Sequence, residues 1–211
     1  STMHDIVIRS GTIVDGLGTP RYTGDVAIDG DRITQVGGKA GPARRDVPAE
    51  GRPVTPGWVD VHTHYDGQAT WDPKLAPSSW HGVTTLLFGN CGVGFAPVQK
   101  NHHQALIDLM EGVEDIPGIT LTEGLKWNWE SFPEYLDALE AMPRTLNIGA
   151  QLAHHPLRVY VMGDRGLKRE NATGDDIEAM ARLTQEALEA GAFGFTTSRT
   201  DQHKTLAGDL V

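Results

Sequence analysis

From Pro53 onward, short apolar runs alternate with segments that carry helix caps. The runs cover residues 58–64, 82–92, 145–155 and 191–199. Strands that alternate with helices predict an α/β fold with a parallel sheet and right-handed crossovers. A complete (β/α)8 barrel needs about 250 residues. We therefore predict that residues 53–211 form the first four β/α units of such a barrel, incomplete at the C-terminus.

The helices between these runs are marked by their caps. We predict one helix over about 101–113. A second begins at Ser131, whose spacing to Glu134 fits a capping box. A third is capped in the same way by Thr173 and Asp176 and ends at Gly191. The predicted buried stripe of the third helix comprises Ile177, Met180, Ala181, Thr184 and Leu188.

Residues 1–52 have a different pattern, with short alternating runs separated by turn signals. Ser10–Gly11 predicts a turn, and Asp29–Gly30 predicts a hairpin. Such a small β-unit has little stability alone. We interpret it as an N-terminal portion of a β-sandwich that precedes the barrel.

Composition excludes several partners. The 211 residues carry a formal net charge of −10, which argues against nucleic acid. Cys91 is the single cysteine, so no internal disulfide forms and a reducing cytoplasm is compatible. No apolar run is long enough to span a bilayer, and we expect a cytoplasmic protein that contacts no membrane.

The segment "PGWVDVHTHYDG" places two histidines at the end of the first predicted strand. Strand periodicity puts Asp60, His62 and His64 on one face. In such barrels catalytic groups lie at the C-terminal ends of strands. The pattern favours a metal site in which Asp60 holds an imidazole from behind. The alternative is a pair of ordinary core or surface histidines.

Cys91 lies at the same end of the second predicted strand, between Gly89 and Gly92. These glycines suit a close approach of backbone rather than side-chain packing. A thiolate there is a good zinc ligand. The alternative is a small buried apolar side chain, which is the usual role of a lone free cysteine.

These motifs resemble a known family. HxH followed by "GNCGVGFAPV", then "LIDLMEGVEDIPG", "FPEYLDAL" and "LEAGAFGFTTSRT", is similar to the N-acyl-D-amino-acid deacylases (D-aminoacylases) of the amidohydrolase superfamily. The resemblance implies one or two Zn²⁺ ions, with His62 and His64 at one metal position and Cys91 at the adjacent, tighter one. It also implies two further histidine ligands and a general-base aspartate, all beyond Val211.

The fourth predicted strand distinguishes branches of that superfamily. Dihydropyrimidinase-like relatives use a carbamylated lysine from about this strand, whereas "GAFGFTTSR" contains none and Lys204 lies beyond it. This absence counts against a cyclic-amide hydrolase. It agrees with a family in which the cysteine of "GNCG" takes the metal-binding place.

Five further residues are candidates for contact with substrate. A guanidinium binds a carboxylate through two hydrogen bonds, and a loop imidazole can contact substrate or simply face solvent. His155 departs from the family pattern, in which a glycine usually follows the first histidine. The candidates are His154, His155, Arg158, Arg199 and His203.

The sequence therefore predicts a zinc-dependent hydrolase of linear amide bonds that deacylates N-acyl-D-amino acids by means of a metal-activated water. D-stereochemistry rests on the resemblance alone. A hydantoinase-like cyclic-amide hydrolase and a non-catalytic assembly protein of the same fold remain alternatives. The expected partners are a small N-acyl amino acid and the rest of the barrel, with homo-oligomerisation left open.

Overall fold

The computed structural model describes residues 3–210. The chain divides into two compact units between Gly57 and Trp58. We predicted the boundary after residue 52, but the short strand Pro53–Val54 pairs with the first strand of the chain and so belongs to the first unit. The residues expected after Val211 lie outside the described part.

The first unit is a single five-stranded sheet. Its path runs β3-β2-β1-β4, and β5 also pairs with β1. The contacts of β1 with β2 are antiparallel, whereas those with β4 and β5 are parallel. The strands are β1 His4–Ile13, β2 Tyr22–Asp29, β3 Arg32–Val36, β4 Ala43–Pro48 and β5 Pro53–Val54.

One of the two predicted turns in this unit is present. The hairpin is confirmed, since Asp29 pairs with Arg32 and Gly30 has a φ of 60°. The turn at Ser10–Gly11 is wrong, because β1 continues through it with a register shift. Ser10 has a φ of 56°, and its backbone N–H donates to Asp25 Oδ1 at 2.8 Å. The local signal therefore marked a bulge, which keeps the strand in the sheet.

The second unit contains parallel strands. β6 pairs with β7, β7 with β8, and β9 with β10, each in parallel, as the alternation predicts. The pairing therefore follows the order of the strands along the chain, with β8 and β9 separated only by Gln151. They are β6 Trp58–Asp60, β7 Val83–Phe88, β8 Asn147–Ala150, β9 Leu152–Ala153 and β10 Phe195–Thr196.

Helices follow the strands of this unit. Short 3₁₀ turns at Gln68–Thr70, Ser78–His81, Asn90–Gly92 and Lys100–His102 lie in the connections. No helix within residues 3–210 combines the length and apolar composition needed to cross a bilayer. The helices are α1 His103–Glu114, α2 Gly118–Gly124, α3 Phe132–Glu140, α4 His154–Met162, α5 Asp164–Leu167 and α6 Gly174–Ala190.

Both predicted capping boxes are confirmed. At the start of α3, Ser131 Oγ accepts the backbone N–H of Glu134, whose carboxylate accepts the N–H of Ser131. Thr173 and Asp176 make the same reciprocal pair at α6.

The predicted stripe of α6 is wrong in part. Ile177 and Leu188 are 58% and 47% exposed, and Ala181 is exposed as well. Met180, Leu183 and Ala187 instead pack against the core. This helix carries apolar side chains on two faces, so periodicity alone cannot choose between them. Ala187 is fully buried, and its small side chain allows the helix to approach closely.

The core of the second unit lies between β7 and helices α1 and α3, around Leu86, Phe88, Met110 and Tyr135. Tyr135 also makes a polar contact: its hydroxyl donates to the Asp66 carbonyl at 2.6 Å. This hydrogen bond therefore ties the loop that follows β6 to the core.

Candidate metal centre

The loop after β6 carries both histidines of the HxH motif. Thr63, between them, is tied to β7, because its backbone N–H and its hydroxyl donate to the Leu87 carbonyl at 3.0 and 2.7 Å. Side chains of an extended segment alternate in direction, so this anchoring leaves both imidazoles on the opposite side. The ring centroids of His62 and His64 lie 5.5 Å apart. The predicted strand over 58–64 is too long, since β6 ends at Asp60 and the histidines follow in the loop.

Cys91 lies in a left-handed turn rather than on a strand, which corrects the predicted strand over 82–92. Gly89 and Cys91 have φ values of 81° and 58°. A Cβ on Gly89 would lie 2.2 Å from the Gln151 carbonyl oxygen, and one on Gly92 would lie 3.2 Å from Thr197 Cα. The two glycines therefore let neighbouring backbone close around the turn that carries the thiol.

The structure brings His62, His64 and Cys91 together. One ligand atom from each lies within 4.8 Å of the other two, and His62 Nε2 is 3.2 Å from Cys91 Sγ. A tetrahedral zinc ion with bonds of about 2.1 Å to nitrogen and 2.3 Å to sulfur separates such ligands by about 3.6 Å. His64 Nδ1 is buried and has no hydrogen-bond partner among the described residues. The donor set fits zinc.

Burial controls the protonation of this group. Burial, followed by positive charge on His62 and on His203, lowers the pKa of His64 to about 4. His64 is therefore neutral near pH 7, which is the form that binds metal. Burial, followed by the negative charges of Glu114 and Asp66, raises the pKa of Cys91. A bound cation acts in the opposite direction and favours the thiolate.

Asp60 is close to the histidines but does not hold an imidazole in the way we predicted. Its Oδ1 accepts the backbone N–H of His62 at 3.2 Å. The carboxylate of Asp60, the last residue of β6, therefore stabilises the start of the loop at His62, two residues further on.

Two acids near the cluster were missed. Glu114 Oε1 lies 3.2 Å from His64 Nε2, and Glu114, Cys91 and His203 form a second group whose ligand atoms are within 4.8 Å of one another. Glu114 follows the buried Met110 by four residues, so helical spacing could have placed it on the inner face.

Asp66 lies two residues beyond His64 and is buried, and its Oδ2 has no partner in residues 3–210. Burial raises the pKa of Asp66 to about 8. Its sequence neighbourhood gave no signal beyond proximity to the HxH motif.

The five predicted substrate residues line one cavity with Cys91. The cavity has a volume of about 380 Å³. Arg169, which sequence reasoning missed, is a third arginine in its wall, and none of the described residues that form the wall is acidic. The predicted residues in the wall are His154, His155, Arg158, Arg199 and His203.

The two histidines at 154 and 155 begin α4 instead of ending a strand. His154 Nδ1 is 2.9 Å from Thr197 Oγ1, which joins the loop after β10 to the start of α4. Burial, then the charges of His154 and Arg158, lowers the pKa of His155 to about 4. Arg158 lies one turn further along the same helix and also donates to the Glu170 carbonyl.

The sequence model of the amidohydrolase family matches residues 47–209, and the chain belongs to that family. Within it, the chain is similar to the group of D-aminoacylases and N-acyl-D-amino-acid deacylases. It is 36% identical over 194 residues to a D-aminoacylase of Alcaligenes xylosoxydans xylosoxydans, and the match covers 92% of this chain but 37% of that protein.

Solved structures give the same assignment. A D-aminoacylase studied for the role of its binuclear metal center superposes with a TM-score of 0.75 at 36% identity, covering 92% of this chain and 38% of that one. An N-acyl-D-glutamate deacylase from Bordetella bronchiseptica, complexed with zinc and a phosphonate inhibitor, gives 0.71 at 33% identity, covering 93% and 38%. The chain therefore spans well under half the length of these relatives.

Proposed function

We propose that this chain is part of a zinc-dependent hydrolase that removes the acyl group from N-acyl-D-amino acids. The observation that carries the proposal is the convergence of His62, His64 and Cys91 beside a cavity whose wall holds three arginines. The preference for D-amino acids is supported by the similarity to D-aminoacylases. The fold position supports it too, since the group follows β6 and β7 at their C-terminal ends, where barrel enzymes carry their active sites.

Three residues of this chain would hold the metal. His62 and His64 would bind through neutral imidazoles, and Cys91 would bind as a thiolate. When bound, zinc polarises an acyl carbonyl and makes water a nucleophile near neutral pH. The general base and the remaining ligands are expected from residues after Val211.

The cavity residues would bind the substrate carboxylate. Arg158 and Arg199 present guanidinium groups that can bind it through paired hydrogen bonds. His154 is held by its contact with Thr197, so it can direct its other ring nitrogen to substrate. His155 and His203 complete the wall, and the positive charge of its three arginines contrasts with the net charge of −10 of the whole chain. An anionic substrate would therefore be drawn to this cavity.

We also propose that residues 58–211 are the first half of a barrel. The support is the parallel pairing of strands in chain order and the share of about 38% that the chain covers in its structural relatives. Strand β10 contains Phe195 and Thr196, with no lysine to carbamylate, which disfavours the cyclic-amide branch.

The test is hydrolysis of N-acetyl-D-amino acids by the complete protein of which this chain is part, purified and loaded with zinc, with N-acetyl-L-amino acids and a cyclic amide such as dihydrouracil as comparisons. We expect turnover of the D-substrates. Arg158→Ala should raise KM more than it lowers kcat, whereas Arg182→Ala, an exposed residue of α6 outside the cavity, should leave both unchanged. Turnover of the cyclic amide alone, or of none of these substrates, would contradict the proposal.

A further inference from the structure

Glu114 is in an electrostatically unfavourable place. It is the last residue of α1, its side chain is 21% exposed, and the last turn of the helix has no basic residue. The next residue, Asp115, is also acidic. The C-terminus of a helix carries partial negative charge, so a carboxylate there is destabilising unless a cation compensates it.

The described residues supply little compensation. Within residues 3–210, no lysine or arginine forms an ion pair with Glu114, and its one such contact is with His64 Nε2 at 3.2 Å. Partial burial increases the cost of this charge, because a carboxylate removed from water needs a partner.

The carboxylate instead faces the metal-binding cluster. Its ligand atom lies within 4.8 Å of Cys91 Sγ and of a His203 ring nitrogen, and Cys91 also belongs to the group with His62 and His64. Oxygen and nitrogen ligands on one tetrahedral zinc ion are separated by about 3.4 Å when both bonds are about 2.1 Å. The 3.2 Å between Glu114 and His64 is close to that separation.

We propose that Glu114 is a further ligand of the zinc centre and coordinates through its carboxylate beside Cys91. This inference rests on the zinc centre of the proposed function. It explains why an acid at the negative end of a helix is partly buried there with no lysine or arginine partner: the metal is the cation that compensates its charge. It also gives a role to the segment "MEGVEDIPG", which the HxH and "GNCG" motifs leave unexplained.

The competing explanation is a structural ion pair in which Glu114 only holds His64. Glu114→Gln separates the two, because glutamine keeps the shape and a hydrogen-bonding oxygen but loses the charge that zinc needs. Asp115→Asn is the matched control. It removes the same charge one residue further on, and asparagine tolerates the left-handed φ of 54° at this position.

The experiment measures zinc affinity in the absence of substrate. The purified protein is stripped with a chelator, and zinc is returned in competition with a chromophoric chelator for the unaltered protein, Glu114→Gln, Asp115→Asn and Cys91→Ala. We expect Glu114→Gln to weaken zinc binding more than about 100-fold, beyond the 10–100-fold loss usual for groups that only support a ligand. Asp115→Asn should change it less than about twofold. The absorption spectrum of the cobalt-substituted protein should change in Glu114→Gln and not in Asp115→Asn.

Two results would overturn the inference. One is an unchanged cobalt spectrum in Glu114→Gln, with a zinc affinity within about 100-fold of the unaltered protein, while Cys91→Ala loses zinc. The other is an undiminished zinc affinity in Cys91→Ala. That result would show that zinc does not bind at Cys91, so no zinc centre would exist there for Glu114 to join. If Glu114→Gln does not fold, Glu114→Ala removes the carboxylate altogether, and an unaltered affinity and spectrum in that variant likewise reject the ligand.

The outcome is separable from that of the proposed function. A protein that binds zinc through Glu114 but hydrolyses no N-acyl amino acid retains this inference and loses the deacylase. An active deacylase whose zinc affinity ignores Glu114 shows the reverse.

Discussion

Gly89 provides the sharpest test of how the fold holds Cys91, because the same strand offers its own control. Gly82 and Gly89 flank β7 with nearly equal φ values of 83° and 81°. Alanine at either position adopts a left-handed conformation at a cost of about 1–2 kcal/mol. The two sites differ in what the added methyl group meets.

At Gly82 the nearest atom is Trp58 Cδ1 at 3.2 Å, and the Trp58 ring is 60% exposed and free to move. At Gly89 the new Cβ would lie 2.2 Å from the Gln151 carbonyl oxygen, about 1.2 Å inside the 3.4 Å at which ordinary contact begins. The backbone must therefore shift, and this shift disrupts the hydrogen bond from Gln151 N–H to the Phe88 carbonyl, which is 3.0 Å long. Overpacking costs about 1–3 kcal/mol and the hydrogen bond about 1 kcal/mol.

We expect Gly82→Ala to lower the free energy of unfolding by about 1–2 kcal/mol and Gly89→Ala by about 3–6 kcal/mol. Urea unfolding followed by tryptophan fluorescence measures this, since all five tryptophans lie in residues 58–129 and so report on the second unit alone. Gly89→Ala should also bind zinc more weakly, because the turn carrying Cys91 moves. Equal destabilisation of the two variants, within about 0.5 kcal/mol, would refute the reasoning.

Three further predictions concern other parts of the chain. Cys91→Ala should lose most bound zinc and nearly all hydrolysis, whereas His62→Ala should lose less metal. Mass spectrometry measures the zinc content and rate assays measure turnover for both variants. Full zinc and normal turnover in Cys91→Ala would reject its role as a ligand. Thr173→Ala should lower the free energy of unfolding by about 0.5–2 kcal/mol through loss of the α6 cap, and an unchanged urea midpoint would contradict this. For Asp25, burial alone would raise the pKa, but hydrogen bonds from two backbone N–H groups and from Arg9 hold its pKa below the ordinary value. The stabilising effect of the Asp25 carboxylate is therefore present above about pH 4 and is lost as pH falls through the lowered pKa. Asp25→Asn should be less stable than the unaltered protein at pH 7, and the difference in stability should shrink in acid. Thermal melts across that pH range measure this difference.

The alternation of strands and helices was readable from the sequence because each signal is local. The capping boxes at Ser131 and Thr173 depend on residues three positions apart, and both form as predicted. The HxH spacing likewise needs only the two-residue period of extended chain to place both imidazoles on one side.

What the sequence could not show depends on contacts between distant segments. The left-handed turn at Cys91 packs closely against backbone at Gln151 and Thr197, which are distant in sequence, so the residues around "GNCG" look locally like a continuing strand. The exposed face of α6 could not be told from its buried face, because both carry apolar side chains. Glu114 looks like an ordinary acid near a helix end until the loop after β6 brings His64 to it.

The edge position of β6 affects how this unit behaves when it is made. Among residues 3–210, β6 has a strand partner on one side only, and Trp58, Val59 and the following Val61 are 60%, 59% and 63% exposed. An uncovered edge with apolar side chains accepts any strand that reaches it. Copies of residues 58–211 produced alone should therefore self-associate through this edge, and light scattering would detect it. The same edge makes the unit suitable for fragment complementation, in which a separately synthesised strand competes with self-association and restores a dispersed protein.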